Sequence, residues 1–147
     1  MKVVIQVVDK ASVTINNQIY NSINNGYVLL VGIDQNDDEI ILKKMVSKIV
    51  NLRINPDENG KTNLSIVQTK GEILSISQFT LCASLESRRP SFCKAAKPDI
   101  AKKLYEIFND ELRKNDIIVK EGIFGEDMIV SIENHGPFTI VLTENDI

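Results

Sequence analysis

This 147-residue sequence is short of the residues from which many active sites are built. It has one histidine, His135, and two cysteines, Cys82 and Cys93. A lone imidazole without a Cys-x-x-Cys pair is a poor fit to a dedicated zinc site, and no metal is expected. The first residues, Met1 to Asp9, lack the apolar core and small-residue cleavage site of a signal peptide and read as a first strand. Free thiols in a cytoplasmic setting are therefore expected. No apolar run approaches the roughly 18 residues of a membrane span, so no membrane partner is expected. There is no Gly-x-Ser-x-Gly elbow and no Gly-x-x-x-x-Gly-Lys phosphate loop. A net charge of −3 argues against coating nucleic acid by bulk electrostatics. It leaves room for a local grip on one RNA end. Arg88, Arg89, Lys94, Lys97, Lys102 and Lys103 cluster around Asp99, and read equally as a phosphate-contacting patch or a solvated face.

What is present suits one domain over residues 1–147. The composition, 43% hydrophobic and 25% charged, can bury a real core. Val3 to Val8 and Ala11 to Ile15 are β-branched and read as strands. Asn16-Asn17-Gln18 reads as a hairpin turn, with a return strand from Ile19 to Ile23. A second turn, Asn24-Asn25-Gly26, leads to a buried strand from Tyr27 to Ile33. The period then changes. Asn36 and Glu39 fit a capping box, followed by Leu42, Met45, Val46, Ile49 and Val50 at helical spacing. Leu64 to Val67 and Glu72 to Phe79 read as strands. Pro98 opens a second helix with Ile100, Leu104, Ile107, Phe108 and Leu112 on one face. Strands from Ile117, Met128 and Phe138 follow. The expected class is α+β, a mostly antiparallel or barrel-like sheet with two helices.

Two motifs stand at the ends of strand-like runs, where folds often hold reactive groups. They are Ser77-Gln78-Phe79-Thr80-Leu81 and Asn134-His135-Gly136-Pro137-Phe138-Thr139. Ser77, Thr80, Cys82 and Ser91 are conceivable nucleophiles, but each needs a base. Thr80 or Cys82 could pair with His135. The commoner fate of such residues is structural, with Thr80 a strand-end hydroxyl bonded to backbone and His135 a turn residue. Catalysis by positioning and backbone donors remains open. An aminoacyl ester is already activated, and N–H groups at a strand end, such as those of Gln78, Phe79 and Thr80, can stabilise its tetrahedral oxyanion.

Together with Ala11-Ser12-Val13-Thr14, Asn63-Leu64-Ser65, Arg89-Pro90-Ser91-Phe92 and Phe124-Gly125-Glu126-Asp127-Met128, these motifs make the chain resemble the D-aminoacyl-tRNA deacylases along its length. The resemblance implies a cofactor-free carboxylic ester hydrolase that proofreads aminoacyl-tRNA at its 3′ end. It implies a homodimer in which a cis Gly136-Pro137 enters the partner's pocket and rejects L-amino acids through backbone carbonyls. Glycine mischarged on tRNA-Ala would pass the same screen. Gln78, Phe79 and Thr80 would carry catalysis, with the tRNA's own 2′-hydroxyl assisting. Ser77, Met128, Asn134, Gly136 and Pro137 would bind substrate. Three departures from the family pattern stand out: Val7 where an arginine usually holds the Gly-Pro element, His135 and Phe138 flanking that element, and Glu86-Ser87 in place of a basic-Gly step. Two rivals follow: a related deacylase with a trans Gly-Pro acting on L-alanyl mischarged tRNA, and a non-catalytic RNA-end binding module.

Overall fold

The computed structural model describes residues 1–147 in full. One sheet dominates it: β1 (Lys2–Ile15), β2 (Gln18–Ile23), β3 (Gly26–Gly32), β6 (Glu72–Ser77), β7 (Val119–Glu121) and β8 (Ile129–Thr143). Their order is β2-β1-β3-β6-β7, with β8 along the other side of β1. The expected class holds, but the sheet is mixed. Pairings within β1, β2, β3 and β8 are antiparallel; β3–β6 and β6–β7 are parallel. The Asn21 side chain donates to the Glu121 carbonyl at 2.7 Å, which draws β2 towards β7 and nearly closes a barrel.

Local chemistry explains the elements. Asn16 and Asn17 take φ of 50° and 62°, the left-handed pair of a two-residue hairpin. The predicted strands at Val3 and Ala11 are one long, kinked strand. Helix α1 (Glu39–Asn51) buries the five predicted apolar residues. Its cap is Asp38 rather than Asn36: the Asp38 carboxylate accepts from the Ile40 and Ile41 N–H groups at 2.9 Å. The predicted strand from Leu64 to Val67 is instead the end of β5 (Thr62–Leu64), which pairs with β4 (Asn55–Pro56), followed by a short helix α2 (Ile66–Thr69). There Ser65 and Gln68 form a capping box, which turns the chain out of the extended state. Helix α3 (Pro98–Arg113) starts at its proline as expected. Its buried stripe is rotated, with Ala101 and Tyr105 inside and Ile100 exposed.

Two apolar clusters sandwich the sheet. The larger joins Val3, Ile5, Leu29 and Ile73 to the inner faces of α1 and α3. The smaller, with Val8, Val13, Val28, Leu74 and Ile76, covers the other face. No helix is long and apolar enough to cross a membrane.

Two buried tyrosines make the core sensitive to alkali. Burial pushes Tyr27 up to about 12, against the pull of its hydrogen bond from Asn55. Burial likewise pushes Tyr105 up to about 12, against the bond its hydroxyl donates to the Ser75 carbonyl. An unfolded tyrosine ionises near 10. The folded state therefore keeps two protons that the unfolded state releases in that interval. Stability from this source is intact below pH ~10 and is lost as pH rises towards about 12, by roughly 2–3 kcal/mol per ring. Far-UV circular dichroism against pH should show unfolding in that window. Tyr27→Phe should shallow the alkaline slope; an unchanged slope would show that Tyr27 is not one of its sources.

Candidate active site

The first motif lies where β6 ends beside its parallel neighbour β3. Ser77 closes β6 opposite Val31. The Gln78 N–H still reaches the Val31 carbonyl, at 2.8 Å, and then the chain leaves the sheet. Phe79–Cys82 winds into one 3-10 turn, closed by the Leu81 N–H on the Gln78 carbonyl at 3.2 Å. Tight turns leave their first N–H groups without internal partners. Here the N–H groups of Phe79 and Thr80 have no acceptor in the chain. Of the three N–H groups expected as donors, that of Gln78 is not free, because β3 takes it. The Gln78 side chain donates instead to Thr80 Oγ1 at 2.5 Å.

A cleft of about 740 Å³ opens beside this turn. One wall is Ser77, Gln78 and Phe79; a second is Phe124 to Met128, the loop after β7; a third is Phe92, Cys93 and Ala95 to Lys97 with the first turn of α3. The cleft therefore sits beyond the carboxyl ends of the parallel strands β6 and β7, the usual place for ligands in open parallel sheets. Phe79 is not a core aromatic: it is 56% exposed and meets Phe92 edge-on, ring centroids 5.0 Å apart. Phe92 and the α3 turn have no site role from sequence alone. The available signal was the Arg89-Pro90-Ser91-Phe92 string, but only folding brings it to Phe79.

Neither nucleophile pairing with His135 forms within the chain. His135 Nδ1 lies 2.9 Å from the Asp9 carboxylate. Cys82 is buried, and burial, reinforced by Asp34, pushes its thiol up, away from the reactive thiolate. Both cysteines are free.

The second motif sits apart from its own chain's cleft, in the middle of β8. Between the pairs Gln6–Thr139 and Val8–Asn134, β1 advances two residues and β8 five. His135 to Phe138 therefore loop out of the ladder, and Gly136-Pro137 is exposed. Its bond is cis. Gly136 has φ of 112°, where an L side chain is strained, and a Cβ there would lie 3.1 Å from the Phe138 nitrogen. Asn134 braces the excursion. Its amide donates to the Val7 carbonyl at 2.8 Å and the Phe138 carbonyl at 3.1 Å, and its oxygen accepts from Thr139 Oγ1 at 3.1 Å. The sites named from sequence thus fall into two groups: Ser77, Gln78, Phe79 and Met128 line the cleft with Thr80 on the adjoining turn, while Asn134, Gly136 and Pro137 form a separate exposed turn.

Known proteins resemble this chain throughout. Residues 4–143 match the family model described as D-Tyr-tRNA(Tyr) deacylase. A D-aminoacyl-tRNA deacylase of Lactobacillus gasseri is 54% identical over 143 residues, 97% of this chain and 99% of that one. Its counterpart in Exiguobacterium sp. is 47% identical over 146 residues, 99% of both chains. Among solved structures, a c-Myc DNA Unwinding Element Binding Protein superposes with a TM-score of 0.93 at 40% identity, covering 97% of this chain and 98% of that one. A probable eukaryotic D-amino acid tRNA deacylase, at 17% identity, shares the fold with a TM-score of 0.84, over 96% of this chain and 97% of that one. A family match along nearly the whole chain, with relatives at about half identity, makes this protein a member of the D-Tyr-tRNA(Tyr) deacylase family of hydrolases.

Proposed function

We propose that the chain hydrolyses the ester of D-aminoacyl-tRNA, and of glycyl-tRNA mischarged on tRNA-Ala, in the cytoplasm. The observation that carries this reading is the pair of unpartnered N–H groups at Phe79 and Thr80, on the turn beside the cleft. Water adds to the ester carbonyl carbon and loses a proton. The carbonyl oxygen becomes an oxyanion held by those two N–H groups. The bond to the ribose oxygen then breaks, that oxygen takes a proton, and the free amino acid and tRNA leave. The 2′-hydroxyl beside the ester assists proton transfer, so no protein nucleophile is needed. The exposed Phe79–Phe92 pair offers a face on which the terminal adenine stacks.

Selection against L-amino acids falls to Gly136-Pro137 of a second subunit. β8 pairs only with β1, so its other edge is open along 15 residues and carries the exposed side chains of Ile129 and Val141. An open, partly apolar edge favours pairing with another chain. A two-fold contact there presents the same surface from both copies, and each turn reaches the other's cleft. The carbonyls of the turn then stand where an L side chain would go.

Release of tyrosine from D- and L-tyrosyl-tRNA tests this, with sedimentation of the active species. A dimer that cleaves the D ester and spares the L ester is expected. Equal cleavage of both would remove the screen. No cleavage would leave an RNA-end binding module. A fully active monomer would overturn the cross-subunit arrangement.

A further inference from the structure

We propose that Asn134 is the positioning residue that sets the Gly136-Pro137 turn, and through it the discrimination between D and L substrates. This rests on the reading of that turn as the chiral screen. The β1–β8 ladder is interrupted where His135 to Phe138 loop out, so ladder bonds cannot define the turn's geometry. Asn134 spans the gap. One amide hydrogen goes to Val7 on β1 and the other to Phe138 beyond the turn, so both donors of the side chain are used. Thr139 Oγ1 holds the amide oxygen, with Gln6 Nε2 more distant at 3.5 Å. The two lips of the excursion are thereby tied to each other and to β1 by one rigid planar group.

Other restraints on the turn are weaker or undirected. The His135–Asp9 pair is about two-thirds exposed on both sides, and exposed pairs contribute little. Val7 and Phe138 pack against the larger apolar cluster. That contact anchors the excursion's rim but makes no hydrogen bond to the turn's peptide groups. Gln6 Nε2 also reaches both lips, but only at 3.5 Å to Asn134 Oδ1 and 3.4 Å to Thr139 Oγ1; the short directional bonds to both sides are those of Asn134.

The test is the ratio of D- to L-tyrosyl-tRNA hydrolysis by Asn134→Asp. Aspartate keeps the shape but, ionised, only accepts, so it faces the Val7 and Phe138 carbonyls with like partial charge. The expected result is slower D cleavage, faster L cleavage, and a ratio reduced about tenfold, the scale of a lost directional bond between part-buried groups. General destabilisation would lower both rates together and leave the ratio alone. Thr139→Val keeps the amide donors and removes one anchor of the amide oxygen; it should shift the ratio in the same direction, less far. A folded Asn134→Asp with the wild-type ratio overturns the proposal. If that variant does not fold, an unchanged ratio in Thr139→Val does so. A wild type that discriminates, beside variants that discriminate equally, counts against Asn134 alone. A wild type that does not discriminate removes the screen itself, and this proposal with it.

Discussion

Gly26→Ala is expected to abolish folding. Gly26 opens β3, directly across the parallel pair from Glu72 at the start of β6. A Cβ on Gly26 would lie 1.9 Å from the Glu72 carbonyl oxygen, 2.6 Å from its nitrogen and 2.8 Å from its carbonyl carbon. All three atoms are backbone, so no rotamer change relieves the overlap. The residue also has φ of +154°, which L side chains rarely adopt. Two hydrogen bonds fix Glu72 in place, from its N–H to the Asn25 carbonyl at 3.0 Å and from the Asn24 N–H to its carboxylate at 2.7 Å. The strands must therefore separate at the start of the only parallel contact between β3 and β6. A loss above about 4 kcal/mol is expected, the range reserved for backbone strain and disrupted cores. Chemical denaturation and the soluble yield check it. A variant that unfolds within about 1 kcal/mol of the wild type would show that the β3–β6 contact yields.

Phe79→Pro should cost far more activity than Phe79→Ala. Both remove the aromatic face, but only proline removes the N–H. The position accepts proline's backbone: Phe79 is the first residue of its turn, where proline is favoured. Gln78 before it has φ of −142° and ψ of 77°, outside the helical region that proline disfavours in its predecessor. The Phe79 N–H bonds to nothing in the chain, so its loss leaves no carbonyl unpaired. Removing one oxyanion donor lowers kcat by about 10²–10³, and that difference should separate the two variants on D-tyrosyl-tRNA. Thr80→Ala keeps its own N–H and should retain substantial activity. Equal activity of Phe79→Pro and Phe79→Ala would mean the Phe79 N–H does not hold the oxyanion. Inactivation by Thr80→Ala with folding intact would instead indicate a nucleophilic hydroxyl.

Sequence alone determined the features whose causes lie within a few residues. The inner face of α1 follows from helical spacing of Leu42, Met45, Val46, Ile49 and Val50. The hairpin follows from Asn16 and Asn17, which tolerate the left-handed backbone. Both short motifs were legible as strings. So was the start of α3, because proline suits a first turn. Competition between neighbours was not legible. Asp38 caps α1 in place of Asn36, which is held back in a turn by its own N–H on the Asp34 carboxylate. α3 turns Ala101 and Tyr105 inward rather than Ile100, because the Tyr105 hydroxyl finds the Ser75 carbonyl at 2.8 Å.

Only the tertiary structure decided which groups of the site are free to act. Gln78, Phe79 and Thr80 look alike as backbone donors in the sequence, yet Val31, 47 positions earlier, takes the first and leaves the other two. Asn134 reads as a member of the Gly-Pro motif, but its amide is spent on Val7, at the other end of the chain. Phe92 becomes a wall of the cleft only because the loop before α3 folds over Phe79. Periodicity and turn preferences act over a handful of residues. The free or engaged state of a hydrogen-bonding group depends on partners that only the folded chain brings near.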